Sequence, residues 1–205
     1  MKNTVIKSLI VSSLLVSGLI ADDMNSEMDQ VNAKEKMGIF IGGSIGAGSG
    51  SYGYVINDVK YEPAEAGIST SDIKIYAGIN SIYLFMQTGS ISFDNNSGDA
   101  DYTAYGVGYK HAFEDYQGSF ASVTIMPVFD AELGYDTITA DGTSDASGFL
   151  LSADLGIAAS VSAIPAVTFT ADLGYDMHAV KDSSSSDRTW NFGSMTVAVG
   201  ANFAF

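Results

Sequence analysis

A short pattern in which apolar residues alternate with a carboxylate or a glycine occurs three times in the second half of the chain: AELGYD at 131–136, SADLGIA at 152–158 and ADLGYD at 171–176. Successive side chains of a β-strand point to opposite faces, whereas in a helix the same residues would spread around the axis. The pattern therefore predicts strands with one apolar and one polar face. In the last copy the apolar face is Ala171, Leu173 and Tyr175. Its polar face is Asp172, Gly174 and Asp176.

Alternation of this kind begins at Met37, continues to Phe205 and predicts eight strands. In the third strand the facing stays open, because Leu84 and Met86 compete with Tyr83 and Phe85 for the apolar face. The segment 52–61 is predicted to extend the first hairpin around Asn57-Asp58. The predicted strands are 37–47, 72–80, 82–93, 102–113, 119–135, 148–161, 166–179 and the residues after Thr189. The long polar connections are 48–71, 94–101, 136–147 and 180–189.

A secreted β-sandwich and a membrane barrel both satisfy the pattern of any single strand, but three features favour the barrel. Long connections alternate with short turns, and the polar face is rich in glycine and small residues, as a narrow lumen requires. Tyr105, Tyr135 and Tyr175 lie near the ends of apolar runs, where an interfacial aromatic girdle would lie. Strands cross hydrocarbon only in a closed barrel, which pairs all backbone groups. We therefore predict an all-β fold: an eight-stranded antiparallel up-and-down transmembrane β-barrel at 37–205.

The first 21 residues match a secretory signal peptide, with lysines at its start, an apolar run to Ile20 and cleavage after Ala21. The apolar run is shorter than the roughly 20 residues that a spanning helix needs, which disfavours an uncleaved anchor. Residues 22–36 are polar and aperiodic, and we interpret them as a periplasmic linker. The signal peptide supplies the route to the bacterial outer membrane.

Charge excludes nucleic acid as a partner. Residues 22–205 carry all 24 acidic residues and seven of the nine basic ones, so the mature net charge is 7 − 24 = −17. Phosphate neutralisation needs clustered Lys and Arg. The glycine-rich GGSIGAGSG at 42–50 lacks the following helix of a dinucleotide fingerprint, and DNNSGDAD at 94–101 lacks the closing Glu of a calcium loop. We therefore expect no cofactor and no metal.

Charged residues on the predicted lumen face form the most informative constellation. We expect charges in so narrow an interior to be paired or hydrated. They either brace the barrel, which we favour, or line a pathway for cations. The residues are Lys74, Lys110, Glu132, Asp154 and Asp172. Neither His111 nor His178 has the sequence context of a catalytic triad, and we expect no catalytic residues.

The signal peptide, the eight alternating strands and the C-terminal strand SMTVAVGANFAF resemble the small outer-membrane β-barrels of the OmpA, OmpX and opacity-protein type. This resemblance implies that the C-terminal aromatic residues, Phe203 and Phe205, are recognised by the outer-membrane assembly machinery. It implies partners in outer-membrane lipid and an unidentified extracellular surface partner. It leaves three functions open, because this fold hosts many. A structural or adhesin-like role is favoured over a narrow channel for small cations or apolar molecules, and over a lipid-modifying enzyme.

Overall fold

The computed structural model describes residues 38–57, 59–62, 67–94, 98–140, 145–183 and 188–205. The predicted signal peptide, the linker and Met37 lie outside these residues. The compact unit described here is Gly38–Ala204. Its strands are β1 (Ile39–Ile56), β2 (Val59–Tyr61), β3 (Gly67–Ile79), β4 (Ile82–Phe93), β5 (Asp99–Ala112), β6 (Gly118–Phe120), β7 (Val123–Ala140), β8 (Ala146–Val161), β9 (Val167–Asp182) and β10 (Arg188–Ala204). No helix in these described ranges is long and apolar enough to cross a membrane.

Eight of the described strands form a closed antiparallel ring, which confirms the predicted fold class. The order around the ring is β1, β3, β4, β5, β7, β8, β9 and β10, and β10 pairs with β1 to close it. The two three-residue strands lie outside the ring: β2 extends β1 as a hairpin, and β6 pairs with the start of β7. Closure removes the free sheet edges that would leave backbone groups unpaired in lipid.

The strand register fixes how the barrel is sheared. Neighbouring residues followed once around the ring from Ile125 on β7 lead back to Tyr135 on the same strand, ten residues further along. A stagger of this kind tilts the strands by about 35–45° from the barrel axis. Residues that are distant in sequence, such as Lys74 and Glu132, therefore meet inside the barrel.

The outer face of the ring is apolar over the height that a membrane would cover. Large side chains on this face are exposed although they are aliphatic or aromatic, as they would be if lipid covered them. Ile45 is 60 % exposed, Leu155 is 66 % exposed and Leu173 is 54 % exposed. The facing predicted for ADLGYD is confirmed, since Tyr175 also points outward and Asp176 is buried inside.

The strands run further toward the long connections than predicted. In these extra residues the apolar side chains move from the outer face of the strand to the inner face. On β7, Leu133 and Tyr135 face outward, but beyond Asp136 the apolar side chain, Ile138, is buried inside while Thr139 is exposed. The predicted long connections 48–71, 136–147 and 180–189 were therefore too wide at both ends, because strands occupy their first and last residues. The predicted loop 94–101 was too wide only at its end, because β4 ends at Phe93 and β5 begins at Asp99. The barrel continues beyond its apolar outer belt as an extension that is polar outside and apolar inside, which we call the collar.

Two local predictions are settled by the geometry. In β4, Tyr83 and Phe85 are buried in the lumen, whereas Leu84 is 67 % exposed. The predicted single strand 119–135 was wrong, because a turn at Ala121-Ser122 separates β6 from β7. Ala121 has a φ of 54°, a left-handed conformation that ends a strand. A tight turn at Asn80-Ser81 joins β3 to β4.

Candidate functional site

An apolar layer fills the lumen at the collar end, and we call it the outer plug. Every strand of the ring contributes at least one buried side chain to it, and Phe93 and Trp190 pack against it. Tyr52 is central, with its ring 5.0 Å from Phe93 and 6.2 Å from Phe192. The buried members are Tyr52, Ile68, Ile91, Ala100, Tyr102, Ile138, Ala146, Val180 and Phe192. The plug packs this end of the lumen as a protein core is packed.

Below the outer plug, charged side chains form two ion pairs, one across the lumen between β3 and β7 and one between the neighbouring strands β5 and β7. Lys74 Nζ lies 2.8 Å from both carboxylate oxygens of Glu132, whose side chain is fully buried. Lys110 Nζ lies 3.1 Å from Asp130 Oδ2. Such pairs persist in a low-dielectric interior only when further hydrogen bonds satisfy the remaining lone pairs. The Tyr83 hydroxyl supplies one such hydrogen bond.

Tyr83 on β4 contacts both ion pairs from two strands away, across β5. Its hydroxyl donates a hydrogen bond to Glu132 Oε1 at 2.7 Å, and it also contacts Asp130 Oδ1. The ring lies over Gly108, its neighbour on β5, where any Cβ would overlap the ring. Glycine at this position therefore leaves room for the Tyr83 ring to extend over β5. Tyr76, Phe85 and Phe40 pack beside Tyr83 and form an aromatic layer toward the short turns.

The alternation of Asp and Gly in the repeated sequence pattern is also explained by the lack of space inside the lumen. Asp154 on β8 lies directly opposite Gly174 on β9, and a Cβ at residue 174 would overlap the Asp154 carboxylate. Asp172 is likewise opposite Gly156. At these two positions the narrow lumen has room for the inward carboxylate because the directly paired residue on the neighbouring strand has no side chain.

The structure brings the five predicted lumen charges into one layer but pairs them unequally. Lys74 bonds Glu132, whereas the partner of Lys110 is Asp130, a residue outside the predicted set. Asp154 and Asp172 form no ion pair with any described residue. The predicted set of lumen charges also omitted three further inward carboxylates of the layer, although one of them had been placed correctly on the polar face of β9. These are Asp72, Asp136 and Asp176. Their even spacing from predicted inward neighbours, as in Asp72 and Lys74, is the signal that would have found them.

His178 belongs to a buried pair under the outer plug. Its Nδ1 lies 2.7 Å from Asp136 Oδ2, and both side chains are almost fully buried. The Tyr102 ring packs edge-on against the imidazole at 5.0 Å. His111 lies at the other end of the barrel, on the outer face, between the rings of Tyr109 and Phe113. The buried pair of His178 and Asp136 lies directly against the outer plug, of which Tyr102 is a member.

The predicted girdle tyrosines all face outward. Tyr105 and Tyr135 are directly paired neighbours with ring centroids 5.6 Å apart, and Tyr175 is 52 % exposed on β9. They lie near the level where the outer face changes from apolar residues to Thr103 and Thr137. Their anchoring role at a lipid interface remains a prediction.

The C-terminal aromatic residues were predicted to be an assembly signal. Phe203 faces outward near the end of β10. Its recognition together with Phe205 remains a prediction. Deletion of Phe205 should lower the yield of folded barrel in the outer membrane without changing export across the inner membrane. An unchanged amount of heat-modifiable barrel in outer-membrane fractions would contradict it.

The fold has known counterparts among solved structures. No protein-family model and no curated protein matches the chain. The structure is similar to neisserial surface protein A, with a TM-score of 0.51 and 17 % identity, covering 81 % of this chain and 97 % of that chain. It also matches the outer membrane protein OprG of Pseudomonas aeruginosa, with a TM-score of 0.45 and 9 % identity over 83 % of this chain and 97 % of that chain. The chain has the fold of a small eight-stranded bacterial outer-membrane β-barrel.

Proposed function

We propose that this chain is an integral protein of the bacterial outer membrane with a structural or surface-interaction role, and that it is neither an open pore nor an enzyme. The observation that carries the proposal is the packed lumen. Side chains from all eight ring strands fill its collar end, and two ion pairs lie in the layer beneath, one of which crosses the lumen from β3 to β7. An interior of this composition braces the wall of the barrel.

The collar supports the surface-interaction part of the proposal. Strands of 12 to 18 residues exceed the roughly 9–11 that a membrane-spanning strand needs. The surplus lies at the end of the long connections and has its own apolar core, the outer plug. A rigid collar of this kind holds the long connections away from the membrane, where a surface partner could reach them.

Conductance measurements test the proposal that the lumen is closed. Purified protein in a planar bilayer should show no large, long-lived conductance steps, because an eight-stranded interior is just wide enough for its own side chains. Replacing Lys74 and Lys110 with Ala should raise either the leak or the instability, since it removes the cations that hold two carboxylates. Exposed Lys60 replaced with Ala is the matched control and should change neither. Stable porin-sized steps from the unmodified protein would refute the proposal.

A narrow channel for small cations is the second candidate function. The excess of acidic over basic side chains in the lumen favours it, because such an interior would prefer cations. It predicts a small leak that reverses at the cation equilibrium potential and grows when the plug is opened by Tyr52→Ala. A strain without the gene separates the two functions. The structural or surface role predicts altered adhesion or envelope stability with unchanged uptake of small cations, and the channel predicts the reverse.

A further inference from the structure

The polar layer of the lumen has more carboxylates than cations to pair with them. Seven acidic side chains of the described strands point into it, against two lysines and His178. Glu132 and Asp130 are paired with Lys74 and Lys110, and Asp136 is paired with His178. Four carboxylates form no ion pair with any residue in the described ranges. They are Asp72, Asp154, Asp172 and Asp176.

These four carboxylates are not scattered, because all of them line one cavity. The cavity lies inside the lumen and has a volume of about 20 Å³, which is room for one water-sized particle. The two lysines also border it, but each already bonds a carboxylate. Asp72, Asp154 and Asp176 are less than a tenth exposed. Unpaired carboxylates in such an interior are costly unless a positive charge compensates them.

An unsatisfied oxygen atom in the same layer indicates the kind of ligand. Gln87 is 98 % buried, lines the cavity, and donates its amide nitrogen to the Tyr102 hydroxyl, which leaves its Oε1 without a partner. A buried acceptor without a donor costs about 1–3 kcal/mol. The observations therefore point to a cation with oxygen ligands.

We propose that the lumen binds one alkali-metal cation in this cavity, held by one or two of the unpaired carboxylates and by the amide oxygen of Gln87 as a neutral ligand. Among the residues that the structure describes, no three His, Asp or Glu side chains are grouped to hold a metal ion. The ligand set is therefore mixed, with neutral oxygens beside a carboxylate, which suits a hard, singly charged cation. The ion supplies positive charge that Lys74 and Lys110 do not provide. The site is independent of the surface role proposed above.

Thermal unfolding in matched salts tests this site. The purified protein, folded in an uncharged detergent, is unfolded in sodium, potassium and N-methyl-D-glucamine chloride at equal ionic strength and pH. Because a ligand that binds only the folded state stabilises it, the midpoint should rise saturably by about 3 °C or more in sodium or potassium. N-methyl-D-glucamine is too large for the cavity and should give no rise. Unfolding opens the cavity, so the measurement needs no entry path in the folded barrel.

Two variants test whether the difference in midpoint between salts arises at this cavity. The double variant Asp154→Asn, Asp176→Asn removes two unpaired charges and should abolish the difference between salts. Asp115→Asn changes an exposed carboxylate of the short 3₁₀ turn Glu114–Tyr116, between β5 and β6, and should leave the difference between salts intact. Retention of ²²Na⁺ by the unmodified protein gives a second readout that does not depend on folding of the variant, and we expect one ion per barrel. Equal midpoints in all three salts, an unchanged salt effect in the double variant, or no retained sodium would each overturn the proposal.

Discussion

Replacing Glu132 with Ala is expected to destabilise the folded barrel by about 3–5 kcal/mol, because it leaves a buried lysine without its counter-charge. Lys74 Nζ is 2.8 Å from both carboxylate oxygens, and its side chain is only 15 % exposed. The substitution also removes the acceptor of the Tyr83 hydroxyl at 2.7 Å. Reversible urea unfolding in phospholipid vesicles measures the loss.

Matched variants separate the ion pair from a general loss of acidic residues. Glu114→Ala removes an exposed carboxylate on the 3₁₀ turn and should cost less than about 0.5 kcal/mol. The double variant Lys74→Met, Glu132→Leu replaces the pair with apolar side chains of similar size and should recover much of the stability. Equal losses for Glu132→Ala and Glu114→Ala would show that the cross-lumen pair does not brace the barrel.

Replacing Leu173 with Arg is expected to cost about 2–4 kcal/mol, since it places a charge on the lipid face near the middle of the membrane. Leu173 is 54 % exposed on the outer face of β9, between Ala171 and Tyr175. The same unfolding experiment in vesicles measures the cost. Leu173→Val keeps the position apolar and should be nearly neutral by comparison.

The matched control for Leu173→Arg is an arginine on the same outer face but at a different depth in the membrane. Ser51 also faces outward but lies on the collar part of β1, above the apolar belt. Ser51→Arg should therefore cost no more than about 1 kcal/mol, because charges near or beyond the interface stay hydrated. Equal costs at residues 51 and 173 would mean that the apolar belt does not face lipid.

The fold class and most of the facing could be predicted from alternation alone, because a strand has a strict period of two. The extent of the strands could not be predicted as well, since the apolar residues change sides at the collar. On β7 they move from Leu133 and Tyr135 outside to Ile138 inside. A loop was predicted where the outward pattern ended. The change of phase is visible in the sequence, and it marks the level at which lipid gives way to water.

The site was harder to predict than the fold because it depends on register. Lys74 and Glu132 are 58 residues apart, and only the ten-residue stagger of the ring brings them together. Both faces of β4 are apolar, so its facing depends on Gly108, which leaves room for the Tyr83 ring. Neither the stagger nor that neighbour follows from the pattern of a single strand.

A spin-label scan along β9 tests the central claim most directly, namely that one face of each strand meets lipid and the other fills a closed lumen. The chain contains no cysteine, so single cysteines at residues 171–173 and 175–177 can be labelled in an otherwise unmodified protein. Gly174 is left unchanged because a side chain there would overlap the Asp154 carboxylate. In phospholipid vesicles, the odd positions should collide readily with oxygen and poorly with a water-soluble nickel chelate. The even positions should be immobilised and poorly accessible to both, because the lumen is packed. Even positions that are readily accessible to the chelate, or accessibility without a period of two, would contradict the closed transmembrane barrel.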